Sequence, residues 1–129
     1  MADIITEDYV SFETAKLLRE KGFEGFTMFS YSTKGTTMCG HWENEIDWMP
    51  KCTLQMAMEW LRKVHNIHIA IVPCEVGPGV MDYTYILYKV DTKNFIFKDL
   101  GIQGRVNTDK MSAPKTAEAA IRYCLENLI

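Results

Sequence analysis

The chain lacks any concentrated basic segment. Lys and Arg number 14 against 17 Asp and Glu, a formal charge of −3, and the longest basic run is the pair Arg62-Lys63. Nucleic-acid binders draw affinity from counterion release at a clustered basic face, so no nucleic-acid partner is expected. No apolar run approaches the roughly twenty residues that span a bilayer. The opening residues Met1-Ala2-Asp3-Ile4-Ile5 lack the basic, then apolar, then small-residue order of an export signal. Four cysteines, Cys39, Cys52, Cys74 and Cys124, are scattered without a short pairing pattern and read as reduced thiols. The expectation is a cytoplasmic protein with no membrane partner.

What remains is ordinary globular material. At 129 residues with 47% hydrophobic and 24% charged residues, the chain fits one domain over residues 1–129 with enough core to fold without staples. It shows no internal repeat, low-complexity tract or linker.

Three helices are legible. Ser11 is an N-cap type ahead of the apolar stripe Phe12, Ala15, Leu17 and Leu18, and Gly22 supplies a left-handed stop that lets Phe23 fold back onto Leu18. Thr53 caps a second helix with Leu54, Ala57, Met58, Leu61, Val64 and His65 at helical spacing, Asn66 as its stop, and Glu59 placed to pair with Lys63. The same helix carries Met56 and Trp60 outside the main stripe, which marks deep burial or association. Thr116 is read as the cap of the last helix, whose stripe is Ala117, Ala120, Ile121, Cys124, Leu125 and Leu128, opposite Glu118, Arg122 and Glu126.

Strands are expected at Phe26–Tyr31 and Thr36–Trp42 around a Ser32–Gly35 hairpin loop. Further strands are expected at His68–Pro73, with Pro73 ending it or marking an edge, at Tyr83–Val90, and at Phe95–Lys98 after an Asp91–Asn94 loop. Residues 43–51 read as a variable surface loop, residues 75–79 as a turn and residues 101–114 as a loop. The fold class is α+β: an antiparallel sheet of about five strands with three helices, in the order α-β-β-α-β-β-β-α.

Three segments carry a resemblance: residues 9–23, residues 53–68 and residues 119–129. They are similar to small uncharacterised proteins of gut Bacteroidales bacteria and of their phages and prophages. The resemblance covers the helices, implies that source and a small accessory role, and implies no activity or cofactor.

Chemistry-bearing residues give four readings. Cys39, His41, His65 and His68 are two donor pairs that could meet on zinc or serve a metal- or cysteine-dependent enzyme, although their spacing fits no standard zinc pattern. Cys52, beside Lys51 and before a helix, is a candidate low-pKa thiol. Gly77-Pro78-Gly79 and Gly101-Ile102-Gln103-Gly104 read as turns, lacking the Lys-Ser/Thr of a phosphate loop. Tyr83, Tyr85, Tyr88 and Arg105 would line a pocket for a small molecule or nucleotide. The fourth reading is an interaction surface: Trp42, Trp48 and Met49 bracket the acidic Glu43, Glu45 and Asp47, with tryptophan and methionine types favoured in interface cores. The preferred reading is a non-enzymatic protein-interaction domain with an unidentified protein partner or a second copy of itself, and no cofactor.

Overall fold

Ser11 opens the first helix, α1 (Phe12–Glu20), by accepting the Thr14 N–H on its hydroxyl. The structure, a computed structural model, describes residues 8–24, 27–39, 49–91, 93–104 and 112–129. His41, Trp42, Glu43, Glu45, Asp47, Trp48 and Arg105 lie outside the described residues. The end of α1 follows its sequence: Gly22 has φ +88°, its N–H reaches Arg19 O at 3.1 Å, and Phe23 N–H reaches Leu18 O at 3.0 Å. This pair of bonds is a Schellman ending, and it turns Phe23 into the core.

Three short strands follow: β1 (Phe29–Tyr31), β2 (Thr37–Cys39) and β3 (Met49–Lys51). They form an antiparallel sheet in the order β2-β1-β3. Residues 43–48 lie outside the described residues, and the strand β3 corrects the end of the surface loop expected over residues 43–51. Its middle residue is Pro50, paired with Ser30 and fully buried. Proline has no ladder N–H to give, so it is tolerated because β3 is an edge.

Thr53 caps α2 (Leu54–His65) through Met56 N–H at 3.1 Å. Asn66, at φ +59°, stops the helix and turns the chain straight into β4 (Ile67–Gly77). The strands β4, β5 (Val80–Asp91) and β6 (Ile96–Gly104) make a second antiparallel sheet, ordered β4-β5-β6. The order among the described residues is α-β-β-β-α-β-β-β-α, with two sheets of three strands in place of one sheet of about five. Pro73 does not end its strand; it pairs with Tyr83 on the open side of β4, where its missing N–H costs nothing. The turn between β4 and β5 is Pro78-Gly79, with Gly79 at φ +71°, the pattern of a type II turn.

The last helix, α3 (Ala113–Asn127), starts earlier than expected. Its cap is Ser112, which accepts Lys115 N–H, and Pro114 lies in the first turn, where proline's lost N–H and fixed φ suit a helix start. Thr116 is inside the helix, its hydroxyl bonded to Ser112 O. The helices α2 and α3 pack on the β4-β5-β6 sheet, and α1 packs on α3 and on β3; the core they share holds Leu18, Leu61, Leu87, Ile121 and Leu125, all fully buried. Each such aliphatic side chain contributes roughly 1.5–3 kcal/mol by burial. Val64, assigned above to the α2 stripe, is 57% exposed instead. Met56 and Trp60 are half-buried against the core, with Trp60 set edge-on between Phe23 at 5.6 Å and His65 at 4.7 Å.

Candidate interaction surface

Parity along β5 decides which side chains can meet. Tyr85 and Leu87 are buried, as are Ile69, the β4 partner of Leu87, and Ile67, the partner of Lys89. Successive side chains of a strand alternate faces, so Tyr88 and Val90 point to the opposite, outer face with His68, Ala70 and Val72. The rings report this: Tyr88 lies 6.3 Å from His68 and 5.5 Å, edge-on, from Phe97. Tyr83, Tyr85 and Tyr88 therefore do not line one pocket, and the expectation that they would is corrected by the alternation itself.

The metal-ligating candidates also separate. Cys39 is exposed on β2, His65 ends α2 against Trp60, and His68 lies on the outer sheet face. Among the described residues no group of three or more His, Cys, Asp or Glu comes together to hold a metal. Burial pushes both imidazoles below the ordinary histidine pKa, aided by the Lys89 charge at His65 and the Arg62 charge at His68. The Nε2 atom of His65 is buried without a hydrogen-bond partner, which disfavours a charged ring. Burial pushes the thiols of Cys52 and Cys124 up to about 12. Neither is a thiolate at neutral pH, so Cys52 is a core residue and no nucleophile. Met49, from the expected interaction loop, packs against the core and under the Arg19 guanidinium.

Large apolar side chains are exposed at Met28 and at Val80 and Met81, and three in succession are exposed at the end of the β5–β6 hairpin. Asp91 shapes the turn: one carboxylate oxygen accepts Lys93 N–H at 3.0 Å and Asn94 N–H at 3.3 Å, and the other takes the Asn94 side-chain amide at 2.8 Å. These bonds, led by the Asn94 side chain, hold the Asp91 carboxyl below the usual carboxylate range. The expected strand start at Phe95 is corrected, because Phe95 is still in the turn at φ +54°. It is 93% exposed, with Ile96 at 61% and Phe97 at 69%. A bulky side chain in the left-handed region costs about 1 kcal/mol or more, and here no packing offsets it. Three adjacent apolar groups put hydrophobic surface on both faces of an edge strand, an arrangement that marks a contact site.

Behind this tip, on the helix side of the sheet, a groove of about 600 Å³ runs past the end of α2. Lys63, Lys89, Lys93 and Lys98 line it together with Asn66, Asp91 and Ile96. Lys89 and Lys98 are directly opposed in the ladder. Sequence reasoning missed this region because it weighed the rare residue types. The available signal was Phe95-Ile96-Phe97 directly after a turn, without alternation.

No helix of the described residues is long and apolar enough to cross a membrane. The described residues define a class: a small α+β domain with two three-stranded antiparallel sheets, three helices and an exposed hairpin end. No family model matches the chain, and no curated protein or solved structure is similar enough to match it.

Proposed function

We propose that this chain is a non-enzymatic protein-interaction domain acting in the cytoplasm as a small accessory protein of the phage or prophage type. The observation that carries the interaction reading is the β5–β6 tip, where Phe95, Ile96 and Phe97 stand in water on a turn fixed by Asp91. Aromatic side chains on a rigid support are the usual anchors of protein interfaces, since little conformational entropy is lost when they dock. The accessory role rests on the resemblance drawn from the three helical segments in the sequence alone.

Site-specific photo-crosslinking in cells tests this reading. A photoreactive residue at position 96 should give a discrete adduct, absent when the probe is placed at Glu20 on the exposed side of α1. Phe95→Ser with Phe97→Ser should remove the adduct while the melting temperature stays nearly unchanged. Equal adducts from both positions, or an adduct that survives the double substitution, would overturn the reading.

A further inference from the structure

Two lysines directly opposed across an antiparallel ladder repel each other, a pairing that costs stability. Lys89 and Lys98 are such a pair, and Lys63 and Lys93 face the same groove. Their partners are few. Lys63 contacts Glu59 at 2.9 Å, and Lys89 donates to His65 O at 3.1 Å. Among the described residues Lys93 and Lys98 have no carboxylate within ion-pair distance, and Asp91, the one acid lining the groove, is spent on its own turn. The result is a local excess of positive charge on a chain whose net charge is −3.

Among the described residues the strand beside the groove has a neighbour on one side only. β6 is the last in the order β4-β5-β6, and an extended segment can add to such an edge through main-chain hydrogen bonds. Ladder parity then dictates the chemistry of the added strand. Lys98 and Ile96 pair with Lys89 and Asp91 and face the groove, whereas Phe97 pairs with Val90 and faces the outer side. An added strand would set alternate side chains beside the lysines and the intervening ones beside Phe97.

Resting on the interaction reading above, we propose that the β6 edge takes an extended segment of a partner protein whose residues alternate between carboxylate and apolar. Its carboxylates enter the groove of Lys63, Lys89, Lys93 and Lys98, and its apolar side chains meet Phe97 and Phe95. Lysine on an edge strand also serves to keep other strands away, but that role accounts only for Lys98. Lys89 belongs to the central strand and Lys63 to a helix, and an aromatic held in the left-handed region protects no edge. A single-stranded nucleic acid would use the lysines but neither the strand edge nor the alternation.

The probe is a fluorescein-labelled peptide of five Glu-Val repeats, read by fluorescence anisotropy on the full chain. It should bind, weaken as salt screens the lysines, and lose about tenfold in affinity with Lys98→Glu. Lys98→Ala should show a smaller loss in the same direction. Phe95→Gly should also weaken binding while leaving the melting temperature equal or raised, because glycine relieves the backbone strain and no packing is lost. A block peptide of the same composition and a Lys-Val repeat should bind at least about tenfold more weakly. Equal binding of the block peptide, tighter binding of an oligothymidylate, or indifference to Phe95→Gly overturns the proposal. If these peptides fail while the position-96 adduct persists, the acidic alternating partner falls and the interaction reading stands.

Discussion

The Glu118 carboxylate in α3 receives the backbone N–H of Ser11, the N-cap of α1, at 3.0 Å across 107 residues of chain. The same oxygen also takes the hydroxyls of Ser11 and Thr14. In a capping box a Glu three residues after the cap performs this task. Here that position is Thr14, too short to reach back, and the carboxylate comes from another helix. Periodicity had placed Glu118 on the solvent face of α3, and that placement is corrected by this contact.

Glu118→Ala should therefore destabilise the domain by about 1–3 kcal/mol, the range for losing hydrogen bonds to a charged group and leaving donors unmet. Glu118→Gln should cost less, since an amide oxygen still accepts but carries no charge for the helix N-terminus. Urea denaturation midpoints of the three proteins measure the order, and an alanine variant as stable as the parent would show the contact to be idle.

Leu61 and Val64 lie one turn apart on α2, at 0% and 57% exposure. Leu61→Ala should cost about 2–5 kcal/mol through lost burial and a residual cavity. Val64→Ala should fall within about 0.5 kcal/mol of the parent, as exposed substitutions do. Chemical denaturation of the two variants tests whether the helix faces the core as described.

The thiols divide evenly by burial. Cys39 and Cys74 are exposed and half-exposed, whereas Cys52 and Cys124 are buried, with pKa values pushed up to about 12. Under native conditions a colorimetric disulfide reagent should titrate Cys39 and Cys74 readily and the buried pair only after denaturant is added. Rapid modification of Cys52 in the native protein would contradict its place in the core.

Stability should fall on mild acidification. His65 and His68 are held below the ordinary histidine pKa by burial, so the folded state binds protons less readily than the unfolded chain. Their contribution is complete above the unfolded value of about 6.5 and is lost as pH falls from there through the lowered folded values. Glu59, lowered chiefly by the Lys63 hydrogen bond, and Asp91, lowered chiefly by Asn94, titrate below this interval. Denaturation midpoints at about pH 7.5 and 5.5 should differ, and His65→Gln with His68→Gln should flatten the difference.

The helices were legible because their signals are local. Ser11, Gly22, Thr53 and Asn66 each act on backbone groups within a few residues, and each performs the expected task. The start of α3 departs from the Thr116 that the apolar stripe suggests, although Ser112 and Pro114 carry a local signal for the earlier start. Strand existence was largely readable from β-branched and aromatic runs. The partition into two sheets was not, since it depends on which distant segment pairs with β1, and Met49-Pro50-Lys51 has no strand propensity of its own. The contact surface was the least readable feature. Phe95 resembles an ordinary first residue of a strand until its backbone is seen to be left-handed, and the Lys89–Lys98 opposition exists only once the register is known.

The junction of α2 with the large sheet is bonded twice. Asn66 O accepts Val90 N–H at 2.9 Å, and His65 O accepts the Lys89 ammonium, so the end of the helix is bonded to the root of the exposed hairpin. A load applied at Phe95 would reach the last turn of α2 through these two bonds. The amide proton of Val90 makes one of them, and its rate of exchange with solvent is a natural gauge of whether the tip is loaded.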